Sequence, residues 1–119
     1  MNNKIDQSNF LKLISLTETD FSTIKWIDFR DKIKIYPLLV EDNQIRMAFL
    51  KHEPGAKLPK HLHSGTEILY YLSGEQTDEN GTHQKGDIVV NKKGSIHSAT
   101  STGCIILAFW EKPVTFINE

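Results

Sequence analysis

The sequence is poor in cysteine, in proline and in long apolar runs. Its one cysteine, Cys104, rules out a disulfide within the chain, and it lies in an apolar stretch typical of a buried thiol. No run approaches the roughly twenty apolar residues of a membrane-spanning helix. The N-terminus lacks an apolar core followed by a small-residue cleavage site. We therefore expect a cytoplasmic protein with no membrane partner.

Charge of either sign is not in excess. Fourteen Lys and Arg residues face fifteen Asp and Glu residues, for a formal net charge of -1. Such a balance gives no general field that would hold the chain on a phosphate backbone, so a nucleic-acid partner is not expected. The 119 residues, 39% of them apolar and 24% charged, predict one globular domain with its own core.

Turn signals, by contrast, are frequent. From residue 54 onward they recur about every ten residues, the rhythm of an all-β sandwich or small barrel. Residues 41–44, "EDNQ", predict a hairpin turn, and Pro37 predicts a strand that is an edge or breaks there. We assign residues 22–119 to this β-domain. Residues 1–21 form an N-terminal arm whose apolar pattern suits a short helix as well as a strand.

The segment "KHLHSGTE" concentrates metal-ligand types. In an extended strand His61 and His63 share a face, and Glu67 keeps their parity, although Gly65 is placed where a bulge would change it. His97, in a later short segment, is a fourth candidate. Imidazole and carboxylate together suit Zn, Fe(II), Mn, Co or Ni and do not select one of them.

Two stretches around these residues resemble the cupin motifs. Residues 55–74 match G-x5-H-x-H-x3-E-x6-G at every fixed position. Residues 86–101 match G-x5-P-x-G-x2-H-x3-N in part, since Lys92 replaces the proline and Ser101 the asparagine. These two positions are structural in the motif, so the departures affect local turn geometry and leave the metal set intact. Eleven residues separate the motifs, which predicts a short hairpin without an inserted helix.

A narrower resemblance, to the ChrR-type cupins, extends from Trp26 to about Glu111. It includes "EPGAKLPKHLHSGTEILYYLSGEQTDENG" and "STGCIILAF". The resemblance implies a six-to-eight-stranded double-sheet jelly-roll barrel. It also implies a divalent transition metal, Fe(II) or Zn before Mn, Ni or Co, with four ligands: His61, His63, Glu67 and His97.

Four apolar or aromatic side chains are candidates for the wall of the pocket. Leu69 and Tyr71 share the parity of the ligands, so they line the pocket or pack in the core. Met47 and Phe49 on a preceding strand have the same two interpretations, with packing favoured. His52 and His83 fit no ligand position of the motifs.

Two functions fit these residues. The first is an enzyme, a metal-dependent oxygenase or lyase, such as a non-haem dioxygenase, acting on a small carbonyl or phenolic compound. The second is a metal-binding sensor or regulatory module related to the cupin half of ChrR-type anti-sigma factors. The arm lacks the cysteine-containing zinc domain of those factors, so we do not expect direct anti-sigma action. Residues 10–16 are largely apolar, and a single barrel would leave these side chains poorly used. We therefore also expect a homodimer in which this arm pairs with the partner's sheet.

Overall fold

The computed structural model describes residues 15–117. Two short 3-10 helices, Leu16–Glu18 and Phe21–Thr23, precede the strands. The strands are β1 (Ile27–Arg30), β2 (Ile33–Glu41), β3 (Gln44–His52), β4 (Ala56–His63), β5 (Glu67–Asp78), β6 (Gly81–Gln84), β7 (Ile88–Asn91), β8 (Ile96–Trp110) and β9 (Val114–Phe116). The all-β prediction is confirmed, with nine strands in place of the expected six to eight.

The strands form one antiparallel sheet that curls into a barrel-like shape. Its order is β1-β2-β3-β8-β4-β9, and β5 pairs with β6, β7 and β8. The long strand β8 is shared, since its first half pairs with β4, its second half with β3, and most of its length with β5. The sheet therefore bends around β8 and brings β3, β4 and β5 to one interior.

Apolar side chains fill this interior. Alternate residues of β2, β3, β5 and β8 point inward, as the period of a strand requires. They form a cluster of buried residues: Ile35, Ala48, Leu50, Leu69, Tyr71, Cys104, Ile106 and Ala108. The prediction that Cys104 is a buried free thiol is confirmed.

Two local predictions about turns and edges are also confirmed. The turn between β2 and β3 has left-handed backbone at Asp42 and Asn43, as a two-residue hairpin requires. Pro37 lies beyond the last residue of β2 that pairs with β1, so in the described structure it stands where β2 has only β3 as a neighbour and is an edge strand.

Strands β5 and β8 touch backbone to backbone at one point. A Cβ on Gly74, which has a φ of +70°, would overlap the carbonyl oxygen of Gly103. Only glycine permits both this backbone conformation and this approach. Register shifts in β5 flank the contact, between Tyr71 and Ser73 and between Glu75 and Gln76. The first shift places an extra residue, Leu72, in β5 and exchanges the inward and outward positions that follow it. The second places an extra residue, Thr102, in β8.

The described part of the N-terminal arm lies on the outside of the sheet. The ring of Phe21 packs edge-on against Phe49, with 5.0 Å between centroids, which explains why Phe49 is buried although it points away from the interior. The predicted exchange of the arm between subunits concerns mainly residues 1–14, which lie outside the described residues. Among residues 15–117, no helix has the length and apolar character needed to span a membrane.

Next to Phe49 the outer face carries exposed apolar side chains on β5, β7 and β8. Cross-strand pairing aligns them, since Ile68 lies opposite both Val90 and Phe109, and Tyr70 lies opposite Ile88. We call these five residues the outer apolar patch. Ile88 is 69% exposed and Val90 52%.

Candidate metal centre

Strand pairing brings three of the predicted ligands together. His61 and His63 point inward from β4, and His97 lies directly opposite His61 on β8. The three imidazoles are buried, and one nitrogen of each lies within 4.8 Å of the others. This is a spacing at which three nitrogens can hold one metal ion.

Hydrogen bonds determine which nitrogen each ring offers. His61 Nδ1 is 2.8 Å from the carbonyl oxygen of Pro59, which can only accept, so this nitrogen carries the hydrogen. His63 Nδ1 is 2.9 Å from Ser95 Oγ, whose own hydrogen is donated to the carbonyl oxygen of Lys92. His63 Nδ1 therefore also carries a hydrogen, which it donates to Ser95 Oγ. Burial lowers the pKa of His61, which favours the neutral ring that a metal needs.

A carboxylate orients the third imidazole. His97 Nδ1 is 3.0 Å from Asp78 Oδ2, while Asp78 Oδ1 accepts from Asn80 N–H at 2.8 Å and from His83 Nε2 at 3.0 Å. Burial alone would raise the pKa of Asp78, but these hydrogen bonds outweigh burial and lower it, so the group is ionised. Because an ionised carboxylate only accepts, His97 donates from Nδ1. In all three rings Nε2 therefore carries no hydrogen, and its electron pair is available to a metal.

Glu67 lies beside His63, but it is on a different strand and outside the cluster of three histidines. The chain bends at residues 64–66, so the parity argument within one strand does not apply, and β5 rather than β4 positions the carboxylate. Glu67 Oε1 accepts from Asn91 Nδ2 at 2.9 Å, and Oε2 accepts from Trp110 Nε1 at 2.5 Å. Burial acts to raise the pKa of Glu67, but the adjacent imidazole of His63, together with hydrogen bonds from Trp110 and Asn91, lowers it overall.

One atom tests whether these residues fit a metal. Among the described residues, His63 Nε2 is a buried polar atom without a hydrogen-bond partner, although it lies 3.2 Å from Glu67 Oε1. An imidazole electron pair that faces a carboxylate oxygen is favourable only when a cation, a proton or a metal ion, binds both. The donor set and this unpartnered nitrogen therefore fit a divalent transition metal. Which of the metals would bind is not determined by these donors.

A narrow cavity of about 60 Å³ reaches this centre. Its polar lining among the described residues consists of His61, Glu67, His52 and the indole of Trp110. The remaining lining is apolar: Phe29, Ile33, Ile35, Leu50, Leu58, Val114 and Phe116. The cavity thus gives the metal centre a mostly apolar setting.

The four candidates for pocket lining lie elsewhere in the described structure. Leu69 and Tyr71 belong to the core cluster, and Phe49 packs under Phe21 on the outside. Met47 is half-buried and pairs with Phe109 across the strands. The cavity is lined instead by side chains of β1, β2, β3, β4 and β9, together with Glu67 and Trp110.

Sequence reasoning missed the residues that support the ligands. Asp78, Gln76 and Asn91 point inward, and His83 is half-buried against Asp78. Asn91 is the last residue of β7 and shares the parity of Val89, which was a readable signal. For Gln76 and Asp78 alternation gives the wrong direction, because the register shift between Tyr71 and Ser73 reverses the parity that begins at Glu67.

Comparison with known proteins agrees with this geometry. A family model described as a ChrR cupin-like domain matches residues 16–113. Among curated proteins, none matches the chain.

Three similar solved structures illustrate the range of relatives. A cupin protein from Ralstonia eutropha JMP134 aligns with a TM-score of 0.71 at 18% identity, over 84% of this chain and 71% of the other. An acetylacetone dioxygenase from Acinetobacter johnsonii gives 0.69 at 17% identity, over 100% and 84%. Rhodobacter sphaeroides SigE in complex with the anti-sigma ChrR gives 0.66 at 23%, over 81% of this chain and 50% of the matched chain. At these identities the likeness establishes the fold.

Proposed function

Because the chain belongs to the ChrR cupin-like domain family, we propose that it is a metal-dependent enzyme, an oxygenase or lyase that acts on a small carbonyl or phenolic compound. One observation carries this proposal. Three imidazoles have their Nδ1 atoms committed to acceptors, and their remaining nitrogens converge at the end of an apolar cavity. A purely structural metal site would have no use for such a cavity.

In this proposal His61, His63 and His97 hold the metal, and Glu67 is the fourth ligand predicted from the motif. When bound, a divalent metal would supply Lewis-acid polarisation of a carbonyl or phenol oxygen and, as Fe(II), activation of oxygen. The chain's own residues fix the geometry. Pro59, Ser95 and Asp78 orient the rings, and Trp110 and Asn91 orient the carboxylate.

The apolar walls have a second role. Phe116 packs against the ring of His61, with 5.6 Å between centroids, and Phe29 and Val114 lie on the same lining. These side chains keep water away from the reacting group and admit only compounds of few atoms.

A cytoplasmic location belongs to the same proposal and is supported by the single buried thiol.

The test begins with metal content. The protein, purified without added metal, should contain or take up about one equivalent, whereas a His61→Ala, His97→Ala double variant should bind little. Ser64→Ala, which removes an exposed hydroxyl beside the ligands, serves as the matched control. The Fe(II) form should then consume oxygen with a β-diketone or a hydroxyacetophenone. A parent that binds none of Fe(II), Zn, Mn or Ni would overturn the proposal.

The family's description supports one alternative, a metal-dependent sensor. A solved relative is ChrR in complex with SigE, which is a regulatory assembly. The two functions differ in a measurable way, since the sensor would bind a small compound tightly without consuming it. Binding without turnover in the Fe(II) and Zn forms would favour this alternative.

A further inference from the structure

His52 is a buried polar residue that the metal centre does not use. It is the last residue of β3, is 3% exposed, and lines the same cavity as His61 and Glu67. Its ring is not part of the cluster of three histidines that converge on the metal position. A buried imidazole needs hydrogen-bond partners, so its two nitrogens indicate what the cavity accommodates.

A neighbouring amide fixes the tautomer of this ring. Tyr71 Oη donates to Gln76 Oε1 at 2.6 Å, which leaves Gln76 Nε2 facing His52 Nδ1 at 3.5 Å. An amide nitrogen can only donate, so Nδ1 accepts and the hydrogen of His52 is on Nε2. The register shift between Tyr71 and Ser73 reverses the parity of β5 and so turns this amide inward, and Gln76 is 2% exposed.

The second nitrogen of His52 has no acceptor in the described part of the chain. The indole of Trp110, the other neutral donor on the cavity wall, already donates to Glu67. His52 is also uncharged near neutral pH, because burial lowers its pKa to about 4. The described walls thus combine apolar side chains with one neutral N–H donor that is not committed.

We propose that His52 Nε2–H donates a hydrogen bond to an oxygen of the bound compound and thereby selects small uncharged carbonyl or phenolic ligands. This proposal rests on the proposed function, since it assigns the class of compound that reaches the metal centre. A neutral donor among apolar walls favours an uncharged oxygen over a second carboxylate, which would need a cation to offset its desolvation. The small volume of the cavity restricts the compound to few heavy atoms.

The experiment measures binding of 2,4-pentanedione to zinc-loaded protein without oxygen, by calorimetry. In His52→Leu the dissociation constant should rise about three- to tenfold, the effect of one hydrogen bond to a neutral acceptor. His52→Gln keeps an amide donor and an acceptor for Gln76, so it should retain most of the parent's affinity. Zinc affinity should be equal in all three proteins, which shows that the centre is intact.

The outcomes separate the two proposals. If the parent binds no metal, the proposed function fails, and with it the role of His52. If the parent binds zinc but not 2,4-pentanedione, the inferred class of ligand is wrong while the metal centre stands. If His52→Leu binds the diketone as tightly as the parent, His52 does not contact the ligand. If His52→Leu does not fold, His52→Gln tests the proposal by itself. Because this variant keeps a donor, a rise of about three- to tenfold in its dissociation constant would contradict the proposal.

Discussion

Replacing Asp78 by asparagine tests how the third histidine is oriented. Asp78 Oδ1 accepts from two donors, Asn80 N–H and His83 Nε2, so in the variant the amide oxygen must take this position. The amide nitrogen then faces His97 Nδ1, where two N–H groups would meet. The hydrogen of His97 moves to Nε2 to avoid this, and the metal loses an electron pair.

We expect Asp78→Asn to weaken zinc binding about 10- to 100-fold, the usual effect of removing a carboxylate behind a histidine ligand. This corresponds to about 1.4–2.8 kcal/mol. Competition with a coloured chelator at pH 7 measures the change, and imidazole nitrogen shifts in NMR report the tautomer of His97.

The matched control for this variant is Glu79→Gln, which makes the same change in charge one residue away. Glu79 is exposed and accepts from the backbone N–H of Ser98, with no contact to the imidazole of His97. Its zinc affinity should stay within about twofold of the parent. Equal losses in the two variants, or no loss in Asp78→Asn, would refute the reasoning from hydrogen-bond direction.

Three further predictions concern assembly and stability. We expect a homodimer that buries the outer apolar patch, so light scattering should give twice the 13.6 kDa of the chain for the parent. Ile27→Lys, on another strand, should also be a dimer, whereas Ile88→Lys should be a monomer. A monomeric parent would contradict this prediction. Gly74→Ala should lose about 2–6 kcal/mol of unfolding free energy in urea. Gly86→Ala should lose about 1–3 kcal/mol, because Gly86 also has a positive φ, of +93° against +70° at Gly74, but a Cβ there would meet open space. Burial lowers the pKa of His52 from 6.5 to about 4. Between these two pH values the unfolded chain binds a proton that the folded chain does not. The free energy of unfolding should therefore fall as the pH drops from 6.5 to about 4, by at most about 3 kcal/mol. His52→Gln should lack this part of the pH dependence, and identical profiles would contradict the assignment.

The sequence predicted the clustering of three histidines better than it predicted their surroundings. His61 and His63 share a face, as predicted, because the register shift in β4 ends before His61, and His97 pairs directly with His61. Turn residues likewise identified the hairpin at Asp42 and Asn43. Both predictions depend on local periodicity or on local backbone preference.

The residues behind the ligands could not be predicted in this way. Gln76 and Asp78 follow the register shift between Tyr71 and Ser73, which reverses the parity of β5 and which the alternation of the sequence does not mark. His52 is a different case. It has the parity of Ala48 and Leu50 on a regular strand, so its inward direction was readable, but the cavity that it lines depends on the packing of β1 and β9.

The hydrogen bonds of Asp78 predict which positions should change together among relatives. This one carboxylate joins a metal-ligand position, His97, to the hairpin residue His83, two segments that otherwise lie in separate parts of the sequence. A relative that loses His97 leaves Asp78 Oδ2 without its imidazole donor, although Oδ1 keeps Asn80 and His83, and a buried charged oxygen without a donor is costly. We therefore expect positions 78 and 97 to change together across the family, so that the residue at 78 indicates from sequence alone which relatives have kept a working metal centre.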